Sequence, residues 1–286
     1  MQQNEKNKVE ASTLYLVGTP IGNLADMTER AKKILSEVDF VAAEDTRNSM
    51  KLLSCFGIHT ELVSYYEHNK RESGERIIAR LLGGESCALI TDAGMPAISD
   101  PGEDLVKLCA DAGITVRVVP GPSACVSALA LSGLSTVRFA FEGFLPAQKN
   151  ERRKRLTAVA NEERTMIFYE APHKLCATLS DMLEIFGADR KIALCRELTK
   201  LNEEAERCTL ADAVKLYTAK EPRGEYVLVV EGGDGKVPQE NPLLSLSPED
   251  HVSHYEAQGM KRMDAIKAAA KDRGMSKSEL YKILVE

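Results

Sequence analysis

The sequence lacks long hydrophobic runs, paired cysteine motifs and an excess of basic residues, and each absence excludes a class of protein. Hydrophobic residues make up 44% of the 286 positions, but no apolar run is long enough to cross a membrane. The seven cysteines include no C-x-x-C pair, and their odd number argues against a disulfide framework or a zinc ribbon. A formal net charge of −6 excludes a protein coated all over with nucleic acid, so any RNA contact must be regional. We therefore expect a soluble globular protein with reduced cysteines.

Several signals of location and chemistry are also missing. The stretch from Met1 to Ser12 is polar and has no export pattern, which predicts a cytoplasmic protein. The glycine turn at 18–22 has neither the Gly-Lys-Ser/Thr of a P-loop nor the G-x-G-x-x-G of a dinucleotide site. There is no Gly-x-Ser-x-Gly, and His251 and His254 have no third ligand, so we expect both to be solvated. Phosphate binding, hydrolysis and a metal site are disfavoured.

The pattern that is present predicts two α/β domains with a cleft between them, followed by a small helical unit. At about 150 residues per domain, the length corresponds to about two domains. Short β-prone runs, each followed by a turn and a helical stretch, recur at 14–17, 40–43, 87–90 and 116–119. Such alternation predicts a parallel sheet covered on both faces. Three more strand-like runs follow residue 137, at 165–169, 192–195 and 226–230. We predict a flexible tail at 1–12, an N-terminal domain at 13–137, a second domain at 138–233, a linker at 234–246 and a helical unit at 247–286.

The C-terminal unit has helix boundaries that can be read from the sequence. Ser247-Pro248 is a helix start, Ser276 and Glu279 have capping-box spacing, and Gly259 and Gly274 lie where helices are expected to stop. Between Lys261 and Lys282 there are seven basic and three acidic residues, a net charge of +4. Helix-turn-helix spacing with this charge suits an appendage that docks on RNA, and it suits a packing module equally well.

The loops after the first four strands are expected to meet at the carboxyl edge of the sheet, where such sheets bind ligands. The third loop, 91–102, contains two aspartates, two glycines and two prolines, more constraint than a plain turn needs. Asp92 there could accept hydrogen bonds from a ligand or cap a helix, whereas Asp100 is expected to form the turn. The fourth loop, 120–124, leaves room for a flat aromatic ring, although a simple turn explains it nearly as well. The charged second loop, 44–47, suits either surface ion pairs or a substrate contact.

Seven motifs in one order make the combination specific. They are LYLVGTPIGNL at 14–24, AEDTR at 43–47, DAGMP at 92–96, VPGPS at 119–123, FYEAPH at 168–173, ELTK at 197–200 and GEYV at 224–227. In this combination the chain resembles the tetrapyrrole-methylase superfamily of S-adenosylmethionine-dependent methyltransferases. It is most similar to the ribosomal RNA branch, whose members methylate a cytidine ribose of small-subunit (16S) ribosomal RNA at its 2′-oxygen. The resemblance covers roughly residues 13 to 286, and implies a cofactor held between two α/β domains and a homodimer.

The resemblance also implies which residues bind the cofactor. They are Ile21 in the first loop, Thr91, Asp92 and Met95 in the third, Ser123 and Ala124 in the fourth, and Tyr169, Leu198 and Glu225 in the second domain. Tetrapyrrole-modifying members carry G-x-G-x-G-D and G-G-D-P, where this chain has GTPIGN and TDAG. The difference favours RNA as the substrate. A tetrapyrrole or other small molecule is the alternative substrate class, and a non-enzymatic nucleic-acid-binding regulator is the third reading.

Methyl transfer to a ribose hydroxyl needs alignment of the methyl carbon with the oxygen, no metal, and a group that accepts the hydroxyl proton. The candidates for that group are Glu44, Asp45, His68 and Lys200, the lysine only if its amine is neutral or acts through a neighbour. The residues expected to contact RNA are Arg47, Asn69, Arg152, Arg153, Lys154 and Arg155. For the basic run, a solvated helix face is the alternative.

Overall fold

The computed structural model describes residues 8–233, Leu243, 246–273 and 275–284. They form two compact units, one from 8–160 with 164–232, and one from 161–163 with the described residues from Gly233 onward. The first unit contains both β-sheets, and the second contains the three C-terminal helices. None of the helices in the described ranges is long and apolar enough to span a membrane.

The first sheet has five parallel strands in the order β3-β2-β4-β1-β5. The strands are β1 (Thr13–Val17), β2 (Phe40–Ala43), β3 (Glu61–Ser64), β4 (Cys87–Ile90) and β5 (Thr115–Val119). β2 and β4 are buried along their whole length, which is why their sequences are apolar without alternation. The predicted parallel sheet is confirmed, and β3 is an additional edge strand.

Helices cover both faces of this sheet, and we refer to the sheet with these helices as the first lobe. They are α1 (Glu29–Glu37), α2 (Thr46–Cys55), α3 (Lys70–Leu82) and α4 (Gly102–Asp111). Successive side chains of a strand point to opposite faces. Accordingly Tyr15 packs in one core cluster with Ile34 of α1, and Leu14 packs in another with Ile77 of α3.

The second sheet is mixed, with the order β6-β7-β10-β8-β9 and a single parallel pair, β6 with β7. Its strands are β6 (Phe139–Phe144), β7 (Thr165–Glu170), β8 (Lys191–Arg196), β9 (Glu204–Thr209) and β10 (Tyr226–Val230). The three predicted strands are the three central ones. The two that the sequence did not reveal, β6 and β9, are the edges.

Four helices pack on this second sheet and form the second lobe with it. They are α5 (Ala124–Ser132), α6 (Lys149–Ala158), α7 (Pro172–Phe186) and α8 (Leu210–Ala219). α5 directly follows β5 of the first sheet, yet its Cys125, Ala128 and Leu129 share a core cluster with Ile167 and Ala193 of the second. The chain therefore passes from the first lobe to the second before residue 137, where the domain boundary is predicted. Both sheets lie in one compact unit, so the boundary itself stays a prediction.

The C-terminal unit consists of α9 (Pro248–Ala257), α10 (Arg262–Asp272) and α11 (Lys277–Ile283). Ser247 caps α9, with Pro248 in its first turn, and Ser276 and Glu279 form the expected capping box. The small core of the unit is built from six buried residues: Val252, Ala265, Ile266, Ala269, Ala270 and Leu280.

The expectation that both histidines of α9 are solvated is wrong for His251, which is 0% exposed. Its Nδ1 accepts a hydrogen bond from Arg273 Nε at 3.1 Å, and its Nε2 lies 3.2 Å from Asp272 Oδ2. Both ring nitrogens have polar partners, so the ring can be buried without an unsatisfied group. His254 is exposed, as expected.

Parts of the predicted tail and linker cannot be compared with the structure. Residues 1–7, most of 234–246, and Gly274 lie outside the described residues. Of the tail, Ser12 donates its backbone N–H to Glu85 O at 3.0 Å, and Glu10 pairs with Arg117 of β5 at 2.6 Å.

Candidate active site

A cavity of about 640 Å³ lies where the carboxyl ends of the first sheet meet the second lobe. This volume is within the range of small-molecule sites. All nine residues predicted to bind the cofactor line it: Ile21, Thr91, Asp92, Met95, Ser123, Ala124, Tyr169, Leu198 and Glu225. They come from six separate segments of the chain, which the fold brings to one place.

Glycines allow the loops of the first lobe to approach each other at the base of the cavity. A Cβ on Gly18 would lie 2.7 Å from Gly121 Cα and 2.8 Å from Met95 Sδ. The Thr19 and Gly94 backbones are bridged by hydrogen bonds of 2.9 and 3.2 Å, with Gly94 at a φ of +87°. The first, third and fourth loops thus form one continuous surface, and a side chain at Gly18 or Gly121 would collide with the backbone of the facing loop.

Asp100 fixes the backbone of the third loop in a turn. Its Oδ1 accepts hydrogen bonds from the backbone N–H groups of Ala97 at 2.9 Å and Gly102 at 2.7 Å, which confirms its expected turn-forming role. Ala97 and Ser99 have left-handed backbones, with φ of 66° and 64°. Asp92 does not cap a helix, because the next helix begins at Gly102 with Pro101 in the capping position. Of the two roles weighed for Asp92, the helix cap is excluded; Asp92 lines the cavity, and its contact with a ligand stays a prediction.

Ser123 precedes α5 but its side chain does not cap the helix. The Tyr169 hydroxyl, from the second lobe, instead accepts the N–H of Cys125 at 3.2 Å. The rings of Phe141 and Phe144 pack edge-on against Tyr169 at 5.0 and 5.4 Å, and burial raises the pKa of Tyr169 to about 12. The phenol therefore stays protonated, while the Ser123 hydroxyl is not committed to the helix.

Glu44 stands at the end of β2 and lines the cavity. The Thr91 hydroxyl donates to its Oε2 at 3.3 Å, and Asn48 Nδ2 donates to Asp92 Oδ2 at 3.2 Å. Partial burial, reinforced by the negative charge of Asp92, raises the pKa of Glu44 above its ordinary value. A carboxylate with a raised pKa is better matched to accepting a proton near neutral pH.

Lys200 is held as a cation between two carboxylates. Its Nζ lies 2.9 Å from Glu197 Oε1 and 2.9 Å from Glu225 Oε2. Burial alone would lower the pKa of Lys200, but these hydrogen bonds outweigh burial and raise it. The condition under which Lys200 could accept a proton directly, a neutral amine, is therefore not met.

The other two proton-acceptor candidates, like Lys200, are not among the residues that line the cavity. Asp45 caps α2, accepting the Arg47 N–H at 2.8 Å, and pairs with the Arg47 side chain at 3.1 Å. His68 is exposed and makes an edge contact with Tyr66. Asn69, expected to contact RNA, instead holds its own turn, with Oδ1 accepting from Tyr66 N at 2.8 Å. Arg47 remains largely open to solvent, with 85% of its side chain exposed.

The basic run on α6 divides into buried and exposed members. Arg152 is 6% exposed and pairs with the buried Asp181 at 2.7 Å, so it is not available to an RNA phosphate and we remove it from the RNA-contact set. Arg153 pairs with Asp181 and Glu184, and Arg155 pairs with Glu142. Lys154 is exposed.

Several residues that line the cavity were not predicted as site residues from the sequence. Phe144 and Val227 contribute apolar lining from the second lobe, and Glu170 contributes a carboxylate held by the Thr178 hydroxyl. A glycine inside a strand-like run, Gly143, is a sequence signal that could have drawn attention to Phe144. In the structure it has a φ of +66° and lies where the β6–β7 register shifts.

The charge of the cavity is one-sided. Five acidic residues line it, namely Glu44, Asp92, Asp100, Glu170 and Glu225, and none of its described lining residues is lysine or arginine. Sites for polyphosphates depend on cations and on backbone donors at helix N-termini. This cavity therefore fits a cationic ligand with an aromatic part better than a nucleoside triphosphate.

A model of the family described as tetrapyrrole (corrin/porphyrin) methylases matches residues 13–214. The chain belongs to this family. It is 50% identical over 283 residues to ribosomal RNA small subunit methyltransferase I of Halalkalibacterium halodurans, covering 99% of this chain and 98% of that protein. It is 47% identical over 282 residues to the protein of the same name from Bacillus subtilis, covering 98% and 96%. The crystal structure of cobalt precorrin-4 methyltransferase matches 79% of this chain and 97% of that protein at a TM-score of 0.57 and 17% identity. This match shows a shared fold.

As a tetrapyrrole methylase family member, the chain is a methyltransferase with S-adenosylmethionine as its cofactor. The cavity fits this cofactor on its own chemistry, since its carboxylates complement the sulfonium and amino groups. Thr91 and Ser123 offer hydroxyls, and Tyr169 and Leu198 offer apolar surface for a purine ring. The part each residue plays in binding remains a prediction.

Proposed function

We propose that this protein methylates the 2′-oxygen of a cytidine ribose in small-subunit (16S) ribosomal RNA. The observation that carries the proposal is the 50% identity to a ribosomal RNA methyltransferase over 99% of the chain, which extends past the family match into the C-terminal helices. The acidic cavity without lysine or arginine supports it, because it suits a sulfonium cofactor.

When bound, S-adenosylmethionine supplies an electrophilic methyl group. The chain must then orient the ribose hydroxyl and accept its proton as the oxygen attacks. Of the four candidates, Glu44 alone is among the described residues that line the cavity. Lys200 is held charged, Asp45 is occupied at a helix N-terminus and His68 is exposed. We assign the proton acceptor role to Glu44, with Thr91 fixing its carboxylate.

RNA phosphates are held outside the cavity in this proposal. Arg47 and Lys154 are exposed cations of the first unit that can contact phosphate. Arg153 and Arg155 form ion pairs with carboxylates, and they contact RNA only where a phosphate replaces these partners. Each lost phosphate contact should weaken binding without altering sequence choice.

The protein is further proposed to act in the cytoplasm as a homodimer. Apolar side chains are exposed at the outer strand of each sheet and on α5, with Val118 51%, Phe139 42% and Val126 56% exposed. Light scattering on the purified protein should give twice the mass of the chain, and Val126→Glu should shift it towards the monomer. A monomer at micromolar concentration would contradict this part.

The function is tested with purified protein, methyl-labelled S-adenosylmethionine and small ribosomal subunits from a strain lacking the corresponding methylation. Nucleoside mass spectrometry should find the label in 2′-O-methylcytidine of 16S RNA. A label in the cytosine base, or no RNA label with turnover on a porphyrinoid, would refute the proposal. Protein-free 16S RNA in parallel distinguishes free RNA from the assembled subunit as substrate.

A further inference from the structure

The charges of the C-terminal unit are segregated between its helices. The described acidic residues of α9 are Glu249, Asp250 and Glu256, and this helix contains no lysine or arginine. The stretch from Lys261 to Lys282, covering α10 and α11, has seven basic and three acidic residues. An ion pair of 3.5 Å joins Arg262 of α10 to Glu256 of α9, so part of this segregation serves the contact between these two helices.

Two of the three acids in this stretch are committed to internal contacts. Asp272 Oδ2 accepts hydrogen bonds from Tyr255 at 2.5 Å and lies 3.2 Å from His251 Nε2. Glu279 Oε2 accepts the backbone N–H of Ser276 at 2.7 Å in the capping box. These contacts hold the two carboxylates towards the unit's own structure.

Of the seven cations, Arg262 pairs with Glu256 at 3.5 Å and Arg273 donates to His251 Nδ1 at 3.1 Å. The other five, together with the exposed Tyr281, are what we call the lysine face: Lys261, Lys267, Lys271, Lys277 and Lys282. All six are exposed, and none of the five lysines forms an ion pair with a residue that the structure describes. Their spacing follows the helices. On α10, Lys267 and Lys271 are one turn apart. Each is exposed and directly follows a buried residue, Ile266 or Ala270.

Tyr281 adds a second kind of contact. It is 47% exposed on α11, one turn after Lys277, while Leu280 next to it is buried in the core. An exposed aromatic ring among lysines is the combination that binds single-stranded nucleic acid, because the lysines pair with phosphates and the ring stacks on a base.

We propose that the lysine face is a docking surface for RNA. The inference rests on the proposed function, in that it supplies the substrate RNA with a second contact area on the chain. Lysine is a flexible, hydrated point charge suited to phosphates of any sequence, so the face contributes affinity and the first unit chooses the nucleotide.

The test compares the full-length protein with two double variants, Lys267→Glu/Lys271→Glu and Lys277→Glu/Lys282→Glu. A matched control, Lys107→Glu/Lys215→Glu, makes the same change in net charge on exposed positions of α4 and α8. Binding of a fluorescent 16S RNA transcript is measured from 50 to 300 mM salt, and cofactor affinity by calorimetry. Circular dichroism confirms that each variant is folded.

Each double variant should bind the transcript about tenfold more weakly at 0.15 M salt and reduce the salt slope of the binding constant by about 1.5 to 2. Cofactor affinity and the control variant should remain as in the wild type. Tyr281→Ala should weaken binding about fivefold and, unlike the lysine variants, retain this loss at high salt, because stacking is not screened.

Equal losses in the control would overturn the proposal, since the effect would then be one of net charge. Unchanged transcript binding with weakened binding to assembled subunits would also overturn it, because the face would then contact a ribosomal protein. Failure of the wild type to methylate RNA would refute the proposed function instead, and the transcript measurement would still decide whether the face binds RNA.

Discussion

The most informative single change is Lys200→Met, because Lys200 joins two segments that line the cavity. Its ammonium group contacts Glu197 and Glu225, each at 2.9 Å. Glu197 has a left-handed backbone with φ of 52°, and its neighbour Leu198 and Glu225 itself line the cavity. A left-handed backbone at a residue other than glycine costs free energy and persists only where surrounding contacts impose it. The Lys200 contacts are such a constraint.

The magnitude follows from the exposure of each partner. The Glu225 side chain is 81% exposed, so its pair with Lys200 contributes about 0.5 kcal/mol. The Glu197 side chain is 19% exposed, and a charge-assisted hydrogen bond there contributes about 1.5 kcal/mol after allowing for the solvent that reaches Lys200. Lys200→Met should therefore lower the free energy of unfolding by about 2 kcal/mol near pH 7.

The loss should depend on pH in a defined direction. The hydrogen bond from Lys200 is the largest cause that lowers the pKa of Glu197 below its ordinary value of 4.5. A lowered pKa stabilises the fold above the unfolded value, and this stabilisation disappears as the pH falls through the folded value. The raised pKa of Lys200 acts oppositely, stabilising below its ordinary 10.5 and ceasing to do so as the pH rises past the folded value. The difference between wild type and variant should thus be constant from about pH 5 to 10 and shrink below about pH 4.5.

Urea denaturation followed by circular dichroism measures the stability, and calorimetry measures the cofactor affinity, which should fall about fivefold as Leu198 and Glu225 lose their support. Lys215→Met is the matched control, since Lys215 pairs with Asp212 at 3.5 Å on an exposed helix. It should cost less than about 0.5 kcal/mol. Equal effects of the two variants, or a Lys200→Met loss that persists unchanged at pH 3.5, would refute the reasoning.

Three further predictions concern other residues of the first unit. Glu44→Gln should reduce kcat by about 10²- to 10⁴-fold and remove the loss of rate at acid pH that its raised pKa imposes on the wild type; a pH–rate profile that keeps this limb would exclude Glu44 as the proton acceptor. Tyr169→Phe should cost about 1–2 kcal/mol in urea denaturation, because the Cys125 N–H loses its acceptor, and an unchanged midpoint would mean that water replaces the hydroxyl. Arg152→Met should cost about 3 kcal/mol, because it leaves Asp181 buried with only Arg153 as a partner, while the salt slope of RNA binding stays as in the wild type; a reduced slope would return Arg152 to the RNA-contact set.

The parallel sheet and the loops at its edge could be predicted because their determinants are local. β2 and β4 are short apolar runs bounded by polar turns, and parallel connectivity then places every following loop at one edge. β9 could not be predicted this way. Its sequence, EAERCT, is charged and only partly buried, because it pairs with β8 on one side alone. A strand that exists through pairing with a neighbour carries little signal of its own.

The roles of charged side chains were the least predictable. In the sequence, Arg152 belongs to a basic run that looks like a phosphate-binding helix face. In the fold it occupies the buried stripe of α6 together with Leu156, one turn later, and meets Asp181 from a helix 29 residues away. The i, i+4 relation to a buried leucine was a visible signal, but the buried carboxylate that decides the matter was not. Lys200 likewise pairs with a distant carboxylate, Glu225, which is 25 residues away in the sequence and exposed.

The acidic cavity and the negative net charge bear together on how a polyanionic substrate can be used. A cavity with five carboxylates and, among its described lining residues, no lysine or arginine suits a sulfonium cofactor better than a phosphate. The same walls are therefore poorly suited to the RNA backbone, and we expect the cations that bind it to lie outside them. With a net charge of −6, the chain cannot supply these cations as a general positive field. Separate basic patches, such as Arg47 and the lysine face, satisfy both demands, and they require that RNA binding and cofactor binding respond to different mutations.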